Sequence, residues 1–172
     1  MTGTAAGNYR AGSGNTEWFT PPEILVRVRA TLGDIALDPA TCERAQRNVQ
    51  AARYFTMNDD GLSQRWYGAT FLNPPFAMPR VANFTGKLIA ERGARPAILL
   101  TNNCTETNWF QQALKHADAI CFPSSRIRFL NADGRACDTP TQGQALFYFG
   151  PDTAAFAQHF GSIGFVLPLQ SA

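Results

Sequence analysis

The sequence predicts a single α/β domain on a mostly parallel sheet that finishes in an antiparallel edge hairpin. Three observations carry that expectation. Continuous apolar runs, above all PAILLTNN over 96–103, have the composition of strands buried on both faces. They alternate with amphipathic stretches of helical period, the order that gives parallel strands joined by crossover helices. Near the end, RIRFLNADGRACDTPTQGQALFYFG reads as two strands around a turn at Asp133-Gly134, hence an antiparallel pair. A length of 172 residues at 45% apolar composition fits one core rather than two.

Residues 1–16 are mostly small and polar, too poor in apolar surface to offset ordering entropy, and are expected to form a flexible lead to a domain spanning 17–172. Thr20 and Glu23 then have capping-box spacing, and Pro21 and Pro22 suit the first helical positions. Ile24, Leu25, Val28 and Leu32 mark one face of that helix, and Gly33 can end it. IALDPA is a short strand stopped at Asp38-Pro39. The polar stretch from Thr41 to Trp66 has no clean period and reads as loop with a helical turn.

ATFL before Asn73 is a strand, Arg80 to Arg92 an amphipathic helix, and PAILLTNN the next strand. A helix over Thr107 to Ala117 leads to the strand DAICF. After the hairpin come a short helix near Ala154 to His159 and the apolar run IGFVLP. No internal repeat is visible.

No run of eighteen apolar residues exists, and the opening stretch lacks the apolar core of a signal peptide, so a soluble cytoplasmic protein without a membrane partner is expected. Cys42, Cys104, Cys121 and Cys137 are widely spaced, and only His116 and His159 could join them, so neither a metal site nor a disulfide framework is expected. A net charge of +2 permits an anionic partner without requiring one.

Chemistry concentrates at two strand ends, since ligands of parallel α/β sheets sit outside the carboxyl ends of the strands. Asp38 ends one strand and Asn73 another, and both ends would open on one crevice. Asp-Pro is also ordinary turn punctuation. FLNPPF is harder to read that way. Pro74 and Pro75 remove two backbone donors and fix two φ angles, so the ladder must end at Asn73 in a stiff corner that directs the Asn73 side chain and the Phe76 ring.

NPPF resembles the catalytic motif of the amino-group methyltransferases that use S-adenosylmethionine: Asp, Asn or Ser, then Pro-Pro, then Tyr or Phe. EWFTPPEIL, LDPAT, NDDGL, LNPPF, RIRF and ALFYF occur in the order seen in the small phage DNA N6-adenine methyltransferases, the Dam-like family, and the resemblance covers about Glu17 to Gly150. It implies a Rossmann-like methyltransferase fold over 17–172, S-adenosylmethionine as cofactor, double-stranded DNA as partner, and a phage or prophage protein acting in a bacterial cytoplasm.

The motif has a physical reason. An exocyclic amine is a weak nucleophile because its lone pair is delocalised into the base. The Asn73 side-chain oxygen and the Pro74 carbonyl can accept its two N–H bonds and draw the nitrogen toward a tetrahedral shape, while Phe76 stacks on the base. Positioning in line with the methyl sulfonium then supplies most of the acceleration. Asn73, Pro74, Pro75 and Phe76 are thus the catalytic set.

By the same resemblance, Asp38 with Pro39 faces the ammonium or nearby polar groups of the cofactor's methionine part, and Asp60 accepts from its adenine amine. Trp18, Thr20 and Pro21 match the segment that helps close the cofactor pocket, although Trp18 equally suits a packing role. The glycine-rich turn usual after the first strand is replaced by Pro39-Ala40-Thr41-Cys42, and Glu43 is the candidate for the ribose.

Arg126 and Arg128 alternate with Ile127 and Phe129, and Arg135 follows the turn, so these three are candidates for DNA phosphate. A charged edge strand is the equal alternative. Target recognition would come from the loop Ser124 to Gln144. Cytosine N4 methylation, methyl transfer to a protein glutamine amide and a degenerate binding module are the rival functions.

Overall fold

Buried apolar runs become strands here wherever no polar face interrupts them. The computed structural model describes residues 18–131, 133–137 and 140–169; the expected lead over 1–16 lies outside these. Among the described residues seven strands form one sheet: β1 (Leu37–Asp38), β2 (Arg53–Tyr54), β3 (Thr70–Leu72), β4 (Ala97–Asn102), β5 (Ala119–Pro123), β6 (Gln144–Phe149) and β7 (Gly164–Pro168). Their spatial order is β2-β1-β3-β4-β6-β5-β7.

Five helices among the described residues cover the two faces: α1 (Pro22–Leu32), α2 (Glu43–Val49), α3 (Arg80–Glu91), α4 (Asn108–His116) and α5 (Thr153–Phe160). Helices α3 and α4 bury Val81, Phe84, Leu88 and Phe110 against one face, with Leu72, Leu99 and Phe147 of the strands. On the other face α1, α2 and α5 contribute Leu25, Val28, Val49 and Phe156, packed with Phe71, Ile98 and Tyr148. Strands between two helical layers need no polar alternation, which is why β4 and β6 are almost wholly buried along their length.

The sheet departs from the expectation of a mostly parallel array. Pairs β1·β2, β1·β3 and β3·β4 are parallel, whereas β4·β6, β5·β6 and β5·β7 are antiparallel. Strand β6 runs down between β4 and β5 and pairs with both, so it converts what would be one parallel contact into two antiparallel ones. The expected hairpin is reduced to a single antiparallel bridge, Leu130 with Ala136, across the Asp133-Gly134 turn. Residues 126–129 join no ladder, and the antiparallel edge is β7.

The turn at Asp133-Gly134 does exist, closed by Gly134 N–H to the Asn131 carbonyl at 2.9 Å with Gly134 at φ 76°. The alternation in RIRF follows burial: Ile127 and Phe129 belong to the same buried core as Ile24 and Leu25 of α1, while Arg126 and Arg128 are exposed. Period two reported burial, not a ladder.

The polar segment after β1 also holds more order than expected, since α2 and β2 lie within it. Only Ala45 and Val49 of α2 are buried, so its apolar signal is too thin to show a period. At α1 the expected capping box is absent: Pro21 is the N-cap, no side chain caps the helix, and Pro22 holds the first position.

The connections fix where a site can be. From β1 the chain passes through α2 to β2 on one side and then returns to β3 on the other, so the direction of winding reverses between β1 and β3. That reversal opens the loops after the two carboxyl ends apart, the usual seat of a ligand in open α/β sheets. Asp38 ends β1 and Asn73 follows β3 there.

Candidate active site

The pairing of β3 ends at Leu72, and Pro74 is buried while Pro75 is exposed. The Asn73 side chain turns back toward the chain before α1. Its Nδ2 donates to the Thr20 Oγ1 at 3.1 Å and to the Trp18 carbonyl at 3.3 Å. Among the described residues, neither Asn73 Oδ1 nor the Pro74 carbonyl accepts a hydrogen bond. Two acceptors on consecutive residues after the strand end are therefore left without a donor.

An aromatic cluster frames them. Phe129 is buried and meets the edge of Trp18 at 6.1 Å and of Phe76 at 6.0 Å between ring centroids, each near 70° interplanar (69° and 68°). Phe76 is half-buried, so one edge is fixed while part of the ring stays open to solvent. Trp18–Pro21 is held from the far side: Phe19 and Leu130 exchange both backbone bonds, at 3.0 and 2.9 Å. Ile127 N–H donates to Gln144 Oε1 at 2.9 Å, which ties RIRF to the first residue of β6. Thr20 and Pro21 are buried at this junction.

At the neighbouring strand end Asp38 is 3% exposed. Gln46 Nε2 donates to its Oδ2 at 2.7 Å and also to Thr41 Oγ1 at 3.1 Å, while Gln46 Oε1 accepts from Ala51 N at 3.0 Å. Burial pushes the Asp38 carboxyl up to about 7, against the pull of its hydrogen bonds with Thr41, Ala40 and Gln46. No cation lies against it, and the only ion pair among the described residues is Lys87–Glu91.

NDDGL packs onto this strand end. A Cβ on Gly61 would stand 2.0 Å from the Pro39 carbonyl, so only glycine allows the two loops to close. The Gly61 carbonyl is further fixed by Trp66 Nε1 at 2.8 Å. Within the loop, Asp59 Oδ2 accepts from Thr56 N and Oγ1 at 2.7 Å each, bonds that hold its carboxyl below its usual range. Asp60, at φ 48°, is bonded through its carbonyl to Ser63 and leaves its carboxylate exposed.

The structure therefore gathers Trp18, Thr20, Pro21, Asn73, Pro74 and Phe76 into one cluster, and sets Asp38, Pro39 and Asp60 at the adjacent strand end. Glu43 is exposed at the start of α2. Arg128 and Arg135 are exposed; Arg126 Nη1 donates to the Pro140 carbonyl at 2.9 Å. Arg126 and Arg128 border a surface cavity of about 530 Å³ against Glu23 and Ile24 at the start of α1. A second cavity, of about 410 Å³ beside Trp66, Lys87 and Glu91, lies at the opposite end of the sheet, near the amino ends of β3 and β4. Sequence reasoning missed Gln46, which sits in a helix without a readable period, and the central place of Phe129, whose RIRF setting was its one signal.

Among the described residues no group of three His, Cys, Asp or Glu side chains is placed to hold a metal ion, and no helix is long and apolar enough to cross a membrane. No curated protein matches the chain. A family model described as DNA N-6-adenine-methyltransferase (Dam) matches residues 11–165.

Proposed function

Since the chain belongs to the DNA N-6-adenine-methyltransferase (Dam) family, we propose that it transfers a methyl group from S-adenosylmethionine to N6 of an adenine flipped out of duplex DNA, at the carboxyl ends of β1 and β3. The observation that carries this reading is the pair of unengaged acceptors, Asn73 Oδ1 and the Pro74 carbonyl, beside an aromatic ring. An exocyclic amine offers two N–H donors in one plane, which suits two acceptors on one stiff corner. Accepting both localises the nitrogen lone pair, and Phe76 stacks on the ring to set its plane. An amine within the stack cannot reach such a corner, so the base must leave the helix.

The residues present fit the cofactor. Asp38 is a buried carboxylate without a cation, and an ammonium would supply one. Asp60 presents an open carboxylate on the loop locked against Pro39, where it can accept from an adenine amine. S-adenosylmethionine, when bound, supplies an electrophilic methyl on a positive sulfonium. The chain's own contribution is to hold, orient and desolvate the amine, with Asn73 accepting more strongly as the nitrogen gains positive charge.

The test is transfer of labelled methyl into DNA, followed by digestion to nucleosides and identification by mass. N6-methyladenine is the expected product. N4-methylcytosine, or label in protein alone, would overturn the assignment. An origin in a phage or prophage belongs to the same proposal.

DNA phosphate is proposed to meet Arg128 and Arg135 first, since Arg126 is already engaged with Pro140. Arg128→Ala is expected to weaken all DNA sequences alike and to lower the salt slope of log K by about one. The slope is read from binding isotherms at several salt concentrations, and an unchanged slope removes Arg128 from the interface.

A further inference from the structure

We infer that Thr20 is a positioning residue for turnover: its hydroxyl, with the Trp18 carbonyl, holds the Asn73 amide in the single rotation that presents Oδ1 to the reacting amine. The inference rests on the proposed role of Asn73 and adds to it the device that orients that group. An asparagine amide has two rotations with nearly equal shape, one presenting oxygen and the other NH₂. Only the first can accept from an amine. A free side chain would populate both.

The surroundings of Nδ2 remove the choice. The Trp18 carbonyl can only accept, so the atom 3.3 Å from it must be the nitrogen. Thr20 Oγ1 takes the other N–H at 3.1 Å. Turning the amide over would set Oδ1 against the Trp18 carbonyl, two acceptors in contact, and would leave both nitrogen hydrogens to find new partners. The cradle is itself stiff: Thr20 is 3% exposed, Phe19 is bonded on both sides to Leu130, and the Trp18 ring rests on Phe129. It also accounts for an amide at this position, since an aspartate would direct a carboxylate oxygen at the Trp18 carbonyl.

Thr20→Val keeps the shape and removes the hydroxyl; Thr20→Ser keeps the hydroxyl. In the full-length chain with labelled S-adenosylmethionine and duplex DNA, Thr20→Val is expected to lower kcat about tenfold with both KM values unchanged, and Thr20→Ser to restore turnover. On an Asn73→Ala background Thr20→Val should add no further loss. The second readout is independent of turnover: the Asn73 side-chain amide protons, assigned by their disappearance in Asn73→Ala, should exchange slowly in the wild type and in Thr20→Ser and fast in Thr20→Val. A raised cofactor KM in Thr20→Val, equal impairment in Thr20→Ser, additive losses, or an amide that stays protected without the hydroxyl would each overturn the inference. If the wild type methylates nothing but the amide protection follows the hydroxyl, the activity reading fails and the positioning of Asn73 stands.

Discussion

Asn73→Ala is expected to lower kcat by roughly 10²–10³-fold while cofactor and DNA affinities barely move, because one acceptor aimed at developing charge has about that effect in a preorganised site. The side-chain oxygen binds the neutral amine weakly and the transition state strongly, so its loss appears in turnover rather than in KM. Truncation also leaves the Thr20 hydroxyl without the amide it accepts from, a stability cost of about 1 kcal/mol that a thermal melt would register. Steady-state kinetics at saturating DNA and cofactor, with binding measured separately, check the division. Normal turnover in the variant would reduce NPPF to a structural corner.

The second large effect belongs to Asp38. Its carboxyl titrates near 7 in the folded chain against 3.8 as its ordinary value, with burial as the main cause. A raised acid pKa means that the folded state binds more protons than the unfolded one between those two values. The contribution of Asp38 to stability is therefore greatest below pH 4, falls as pH rises toward 7, and stays level above it, a loss of about 4 kcal/mol from this group alone. Asp38→Asn should remove that dependence and leave the protein more stable than the wild type at pH 8. Urea unfolding of both proteins across pH 4–8 checks it, the difference between the two curves isolating this residue from all others. Curves that remain parallel would show that the carboxyl is not held up by burial.

The same substitution should weaken cofactor binding. A cation placed against Asp38 stabilises the carboxylate, so affinity in the wild type should climb as pH rises toward 7, with proton release on binding. Calorimetry in buffers of different ionisation enthalpy reads that release, which Asp38→Asn should abolish. Asp38 would thus destabilise the empty protein and help hold its ligand, a trade seen where active-site groups are kept for function rather than stability.

Much of the fold is legible in the sequence itself. Phe71-Leu72-Asn73-Pro74 identifies the end of β3 from the missing donors of two prolines, and the unbroken apolar run Ala97–Asn102 identifies β4. What could not be read was partnership. Periodicity says which residues are buried and nothing about which strand lies beside which, so β6 looked like an edge and proved to be interior. RIRF alternates because Ile127 and Phe129 enter the core while Arg126 and Arg128 stay exposed, not because a ladder continues there. The members of the candidate site were likewise visible at Trp18, Thr20 and Asn73, whereas their bonds to one another join positions more than fifty residues apart and leave no local trace. Gln46 left even less, since a polar helix with two buried residues gives no pattern to follow.

The bridge between Phe19 and Leu130 also sets a schedule for synthesis. NPPF leaves the ribosome long before Leu130 does, and Gln144, which holds Ile127, comes later still. At roughly 5–20 residues per second, several seconds separate the motif from the last pieces of its cradle. During that interval the nascent chain carries the proposed catalytic residues without the contacts that assemble their corner. Only a chain extended past Gln144 can hold the proposed site assembled, so timing is written into which distant segments close it.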